Sequence, residues 1–131
     1  MERRLLAGRC NCGAVRFEAT GPFRPAKASH CKSCRRQSGH FLAATEVQRS
    51  VLSVSGEGSL AWYHATPKAR RGFCSTCGVH LFWERAGAET ISILMGCLDD
   101  PTGLELADHI YVGEKGDYYE ITDGLPQSLT H

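Results

Sequence analysis

Hydrophobic and polar positions alternate with a period of two along much of this chain. Val15, Phe17 and Ala19 alternate with Arg16, Glu18 and Thr20, the pattern of a strand with one buried face. Short stretches of similar character predict strands at Leu5–Arg9, Ala14–Ala19, Ala26–His30, Phe41–Val47 and Val51–Ser55. Others are predicted at Leu60–His64, Arg70–Cys74, His80–Trp83, Thr90–Leu94 and Ile110–Val112. Turn signals punctuate them: Gly21-Pro22, Gly56-Glu57-Gly58-Ser59, Gly87-Ala88-Glu89 and Asp99-Asp100-Pro101. The one helical candidate is Lys32–Ser38. A mainly β fold of short antiparallel strands with one short helix is expected, because the helices of a βαβ layout are missing.

Composition narrows the class. The 131 residues suit a single domain spanning 1–131, and 42% hydrophobic residues suffice for a core. A net charge of +1 gives no global field for nucleic acid or a membrane surface. No apolar run approaches the roughly 20 residues that span a bilayer. The segment Met1–Arg9 lacks the apolar stretch of a signal peptide. A cytoplasmic protein is expected.

Cysteine changes the picture most. There are seven, an odd number, and six fall into pairs: Cys10/Cys12, Cys31/Cys34 and Cys74/Cys77, with Cys97 alone. In a reducing compartment paired thiols bind metal or do chemistry. Cys10-Asn11-Cys12-Gly13 and Cys74-Ser75-Thr76-Cys77-Gly78 are knuckles in which a glycine follows the second cysteine. C-x-C on an extended strand points two thiolates the same way. C-x-x-C does so from a tight turn. Four thiolates make a closed structural zinc site, with no position open to substrate. The long stretch between the knuckles leaves other readings open at this point: two separate ions, ordinary buried cysteines, or disulfides.

The motifs together resemble the glutathione-dependent formaldehyde-activating enzyme family, which includes the centromere protein V-like domain. The likeness runs through Gly8-Arg9-Cys10-Asn11-Cys12-Gly13, His30-Cys31-Lys32-Ser33-Cys34-Arg35 and Arg71-Gly72-Phe73-Cys74-Ser75-Thr76-Cys77-Gly78. It continues through Leu98-Asp99-Asp100-Pro101, His109-Ile110-Tyr111-Val112 and Ile121-Thr122-Asp123-Gly124-Leu125-Pro126. The resemblance implies a zinc-bound β-tent. It implies a structural zinc on Cys10, Cys12, Cys74 and Cys77, and a catalytic zinc on C-x-C-x-x-C. The implied activity joins formaldehyde to glutathione, a carbon–sulfur lyase reaction. This sequence departs from the family at Ser29, where the first of the three catalytic cysteines would stand. Cys31 and Cys34 remain as candidate catalytic residues and as ligands of a second zinc. His30 or His40 would have to supply a third ligand. Without metal, Lys32, Arg35 and Arg36 are the cations expected to activate a free Cys31/Cys34 pair.

Arg35 and Arg36 also suit the carboxylates of a glutathione-like thiol. Lys68, Arg70 and Arg71 form a small basic patch, too small to indicate nucleic acid. Cys97 reads as a buried hydrophobe. Trp62, Tyr63, Phe82 and Trp83 read as core or pocket wall, and Asp99 and Asp100 as a turn. His109 and Tyr111 alternate on a strand and could line a cleft, although satisfied surface positions are the more common case. Edge strands make a homodimer an open expectation. Three functions follow: a lyase acting on a glutathione or related thiol adduct, a non-catalytic zinc-stabilised binding module, or a thiol redox protein using Cys31 and Cys34.

Overall fold

The computed structural model describes residues 4–131. Met1–Arg3, part of the N-terminal segment weighed above, lie outside the described residues. The mainly β fold expected from the alternation is observed. Among the described residues ten strands form: β1 (Leu5–Arg9), β2 (Arg16–Thr20), β3 (Ala26–Ser29), β4 (Leu42–Gln48) and β5 (Leu52–Ser55), then β6 (Leu60–Thr66), β7 (Ala69–Cys74), β8 (His80–Arg85), β9 (Thr90–Leu94) and β10 (Leu106–Ile110). The helix, α1, is Lys32–Ser38, between β3 and β4. It is capped by Cys31, whose sulfur accepts the Cys34 N–H, and it stops at Gly39. Among the described residues no helix is long and apolar enough to cross a membrane.

The strands lie in two open sheets. One has the order β1-β2-β5 and the other β10-β3-β4-β9-β8-β7-β6. In β2 the buried residues are Phe17 and Ala19, alternating with exposed Arg16, Glu18 and Thr20. Phe17 reaches across to Phe82 of β8 edge to face, with ring centroids 5.2 Å apart. The two sheets thus share one core, with Val15, Leu81, Val47 and Ile93 around that contact. Each such apolar side chain contributes about 2–3 kcal/mol through burial.

The last strand departs from its expected place. It covers Leu106–Ile110, ahead of the predicted Ile110–Val112. The reason is local: Tyr111 takes a left-handed conformation at φ 56°, which ends the extended chain. Strand β10 is also the one that pairs in parallel, with Ile110 opposite Ser29 of β3. This pairing brings the C-terminal part of the chain against the residues before α1.

Candidate functional site

Two groups of thiols are built at different places in the sheets. The first is made by the turn after β1 and the turn after β7. Each turn closes on a backbone hydrogen bond, Gly13 N–H to the Cys10 carbonyl (3.2 Å) and Gly78 N–H to the Cys74 carbonyl (2.7 Å). Both glycines sit at positive φ, 80° and 81°, where a side chain would be strained. Cys10, Cys12, Cys74 and Cys77 are brought together, their sulfurs all within 4.8 Å of one another. Cys12 Sγ lies 3.7 Å from both Cys10 Sγ and Cys74 Sγ.

This donor set fits a metal ion. Sulfurs about 2.3 Å from a tetrahedral centre stand about 3.8 Å apart, close to the separations observed. Backbone N–H groups already point at the sulfurs: Val15 to Cys10 (3.3 Å), Ala14 to Cys12 (3.5 Å) and Cys77 to Cys74 (3.4 Å). Such donors stabilise thiolate charge. Backbone hydrogen bonding from Cys12, and then Val79, brings the Cys77 thiol down to about 6. Cys10 and Cys74 are buried while Cys12 is exposed, so the cluster sits at the rim of the core.

The second group lies where β3 runs into α1. Ser29 ends β3, Cys31 caps the helix half-buried, and Cys34 is buried in its first turn. The Cys34 N–H donates to Cys31 Sγ at 3.3 Å. Interaction with the Cys34 thiol, opposed by burial and aided by the Cys34 N–H, Ser29 and Arg71, lowers Cys31 to about 5. The same interaction, with burial, pushes the Cys34 thiol up.

The cation at this site is one the local sequence did not indicate. Arg71, from β7, is 3% exposed. Its Nη2 donates to Ser33 Oγ at 3.0 Å and lies 3.5 Å from Cys34 Sγ. Arg71 therefore leaves the expected basic patch. Arg70 leaves it too, packed over the Trp62 ring at 3.9 Å and paired with Glu84. Lys32, Arg35 and Arg36 instead line an open cleft of about 320 Å³ with Gly39 and Tyr118. One Arg35 N–H is spent on the Glu114 carbonyl at 2.9 Å, and Glu114 Oε1 accepts the Lys32 backbone N–H.

These donors do not fit a second metal. Two thiols and a neutral hydroxyl are a poor ligand set, and a guanidinium cation stands against one of the thiols. Among the described residues, the only cluster of three or more metal-ligating side chains is the first group. Neither histidine completes the set. His40 Nδ1 meets the Tyr118 hydroxyl at 2.5 Å. His30 is fully buried with both ring nitrogens engaged, Nδ1 by the Tyr119 hydroxyl (2.5 Å) and Nε2 by His109 Nδ1 (2.9 Å).

That last bond belongs to a polar chain that runs from two buried histidines out to the exposed Asp123. His109 Nε2 meets Asp123 Oδ2 at 2.7 Å, so the order is Asp123, His109, His30, Tyr119. Burial, then His109, lowers His30 to about 4 and keeps it neutral. His109 is 3% exposed, a correction to its reading as a surface residue. The partners come from the residue just after β3, from β10 and from the C-terminal segment. The only hint in the sequence was a histidine among the apolar residues of a strand. Cys97 is buried as expected, its thiol 3.4 Å from the His80 carbonyl.

Comparison with known proteins gives consistent results. The family model described as glutathione-dependent formaldehyde-activating enzyme matches residues 5–114. A Halomonas elongata protein named "Putative glutathione-dependent formaldehyde-activating enzyme" is 30% identical over 128 residues, covering 89% of this chain and 81% of that protein. The crystal structure of a Rhodobacter sphaeroides protein has the same fold at a TM-score of 0.63 and 24% identity, covering 92% of this chain and 98% of that one.

Proposed function

Because this chain belongs to the glutathione-dependent formaldehyde-activating enzyme family, we propose that it is a carbon–sulfur lyase-type enzyme acting on adducts of glutathione or a related small thiol. The observation that carries the reading is the half-buried Cys31 thiol on the same short helix as a cationic cleft. Arg36 and Arg35 at that cleft would hold the carboxylates of the thiol substrate, because a planar fork of N–H donors matches a carboxylate. Cys31 and Cys34 would stand at the reacting centre.

Cys10, Cys12, Cys74 and Cys77 would hold a structural zinc ion. Bound there, it supplies folding free energy, since four thiolates leave no open coordination position. A cytoplasmic location suits a protein whose seven thiols must stay reduced. A homodimer through an edge strand is part of the same proposal.

Exchange spectroscopy by NMR on labelled formaldehyde and glutathione tests the activity. The protein should accelerate exchange between free formaldehyde and S-hydroxymethylglutathione well beyond the spontaneous rate. Arg36→Ala should raise the glutathione KM about tenfold, the loss of one charge-assisted pair. Glutathione binding without acceleration would select a second reading, a non-catalytic binding module. Ser29, which stands where the resemblance implies a cysteine, favours it.

A further inference from the structure

We propose that Cys31 is a metal-independent nucleophilic thiol for small aldehydes, with the buried Arg71 guanidinium as the fixed counter-charge of the Cys31/Cys34 pair. This rests on the carbonyl and thiol chemistry proposed above and deepens it.

Four observations converge on the site. Ser29 and two thiols cannot enclose a metal, so the positive charge must come from elsewhere. Arg71 brings that charge from β7, with Nη2 3.5 Å from Cys34 Sγ. The guanidinium is 3% exposed, and its Nε and Nη1 have no hydrogen-bond partner. Among the described residues no carboxylate pairs with it. A buried cation without an acid costs several kcal/mol unless an anion compensates it. A thiolate shared between Cys31 and Cys34 is the anion in reach. The directions of their titration agree, with Cys31 lowered and Cys34 raised, so one charge rests on the pair.

The reaction then balances without metal or oxidant. The Cys31 thiolate attacks the carbonyl carbon of the aldehyde and a C–S bond forms. The C=O π pair moves to oxygen. That oxygen takes the proton of the Cys34 thiol, giving a neutral hemithioacetal on Cys31 and a thiolate on Cys34. The new thiolate lies against Arg71, so the charge moves toward its counter-ion. Reversal beside a bound thiol releases the aldehyde to that thiol. Arg71 touches the Cys34 sulfur, which gives up its proton, but neither the attacking Cys31 sulfur nor the aldehyde, and acts through Cys34 as a positioning residue.

Peptide-resolved mass spectrometry of the metal-loaded protein tests the proposal. Iodoacetamide should label Cys31 at a rate that levels off with rising pH well below the range of free glutathione, and millimolar formaldehyde should slow the labelling. Arg71→Gln should move that profile upward and slow labelling near pH 7 about tenfold, one unit of thiolate population. Arg71→Lys should recover part of it. If Arg71→Gln does not fold, the wild-type profile and the formaldehyde protection decide alone. A Cys31 that titrates like free glutathione, ignores formaldehyde, or is masked by a second bound metal overturns the proposal. Formaldehyde protection without accelerated glutathione exchange upholds this site and removes the lyase reading, so the two fail separately.

Discussion

The two thiol clusters solve opposite electrostatic problems. At Cys10, Cys12, Cys74 and Cys77, four sulfurs gather with backbone N–H groups directed at them. Four thiolates gathered so closely would need a cation to compensate their charge. At Ser29, Cys31 and Cys34 there are only two sulfurs, and the cation is already built in as Arg71. The same residue type therefore has two uses within one chain. The number of thiols and the sign of the nearest fixed charge set the difference. In the proposed reading, a closed four-sulfur site holds the fold, and a two-sulfur site beside an arginine keeps a thiol reactive.

The strongest way to break this comparison is to remove a ligand from the first cluster. Cys74→Ala should abolish metal retention and leave the chain insoluble or unfolded. Structural zinc contributes on the order of 10 kcal/mol to small metal domains at neutral pH, as much as the whole net stability of many domains. Metal analysis and circular dichroism check it, and a folded, metal-loaded variant would show that the cluster is not what holds the fold. The second cluster should respond differently. Ser29→Cys adds the missing thiol, and metal content should rise from about one ion per chain toward about two, because three thiolates make a competent open site. A value that stays near one would show that Arg71, and not the ligand count, is what excludes the ion.

The smallest effect concerns the buried histidines beside the clusters. Burial lowers His30, near the second, to about 4, and likewise His80, whose carbonyl accepts the Cys97 thiol, to about 4. The unfolded chain binds protons on both near pH 6.5 and the folded one does not. Stability should therefore be full above about pH 6.5 and fall progressively as pH drops toward 4. Thermal melts across that window check the sign. A His30→Asn variant should flatten part of the slope, and an unchanged slope would locate the acid sensitivity elsewhere.

Much of this molecule was legible before any coordinates. The span of α1 and the ends of β1 and β9 matched their residues, because turns and alternation act over a few neighbours. The knuckles were legible for the same reason: a cysteine pair and its glycine are a local device. The start of β10 was not, because Leu104-Glu105-Leu106-Ala107-Asp108 has no β-branched residue and is held extended by its pairing with β3. Three features were decided only in the tertiary structure. Cys10 and Cys12 meet Cys74 and Cys77 because two turns converge at the rim of the core. Arg71 reaches Cys34 from another strand, while the adjacent Lys32, Arg35 and Arg36 face a cleft. His30 joins His109, Asp123 and Tyr119 across a parallel strand pair. By itself the sequence determined which thiols come in pairs and that position 29 carries a hydroxyl. Which charge stands beside each pair is a matter of long-range packing, since electrostatic partners are chosen by distance in space and not along the chain.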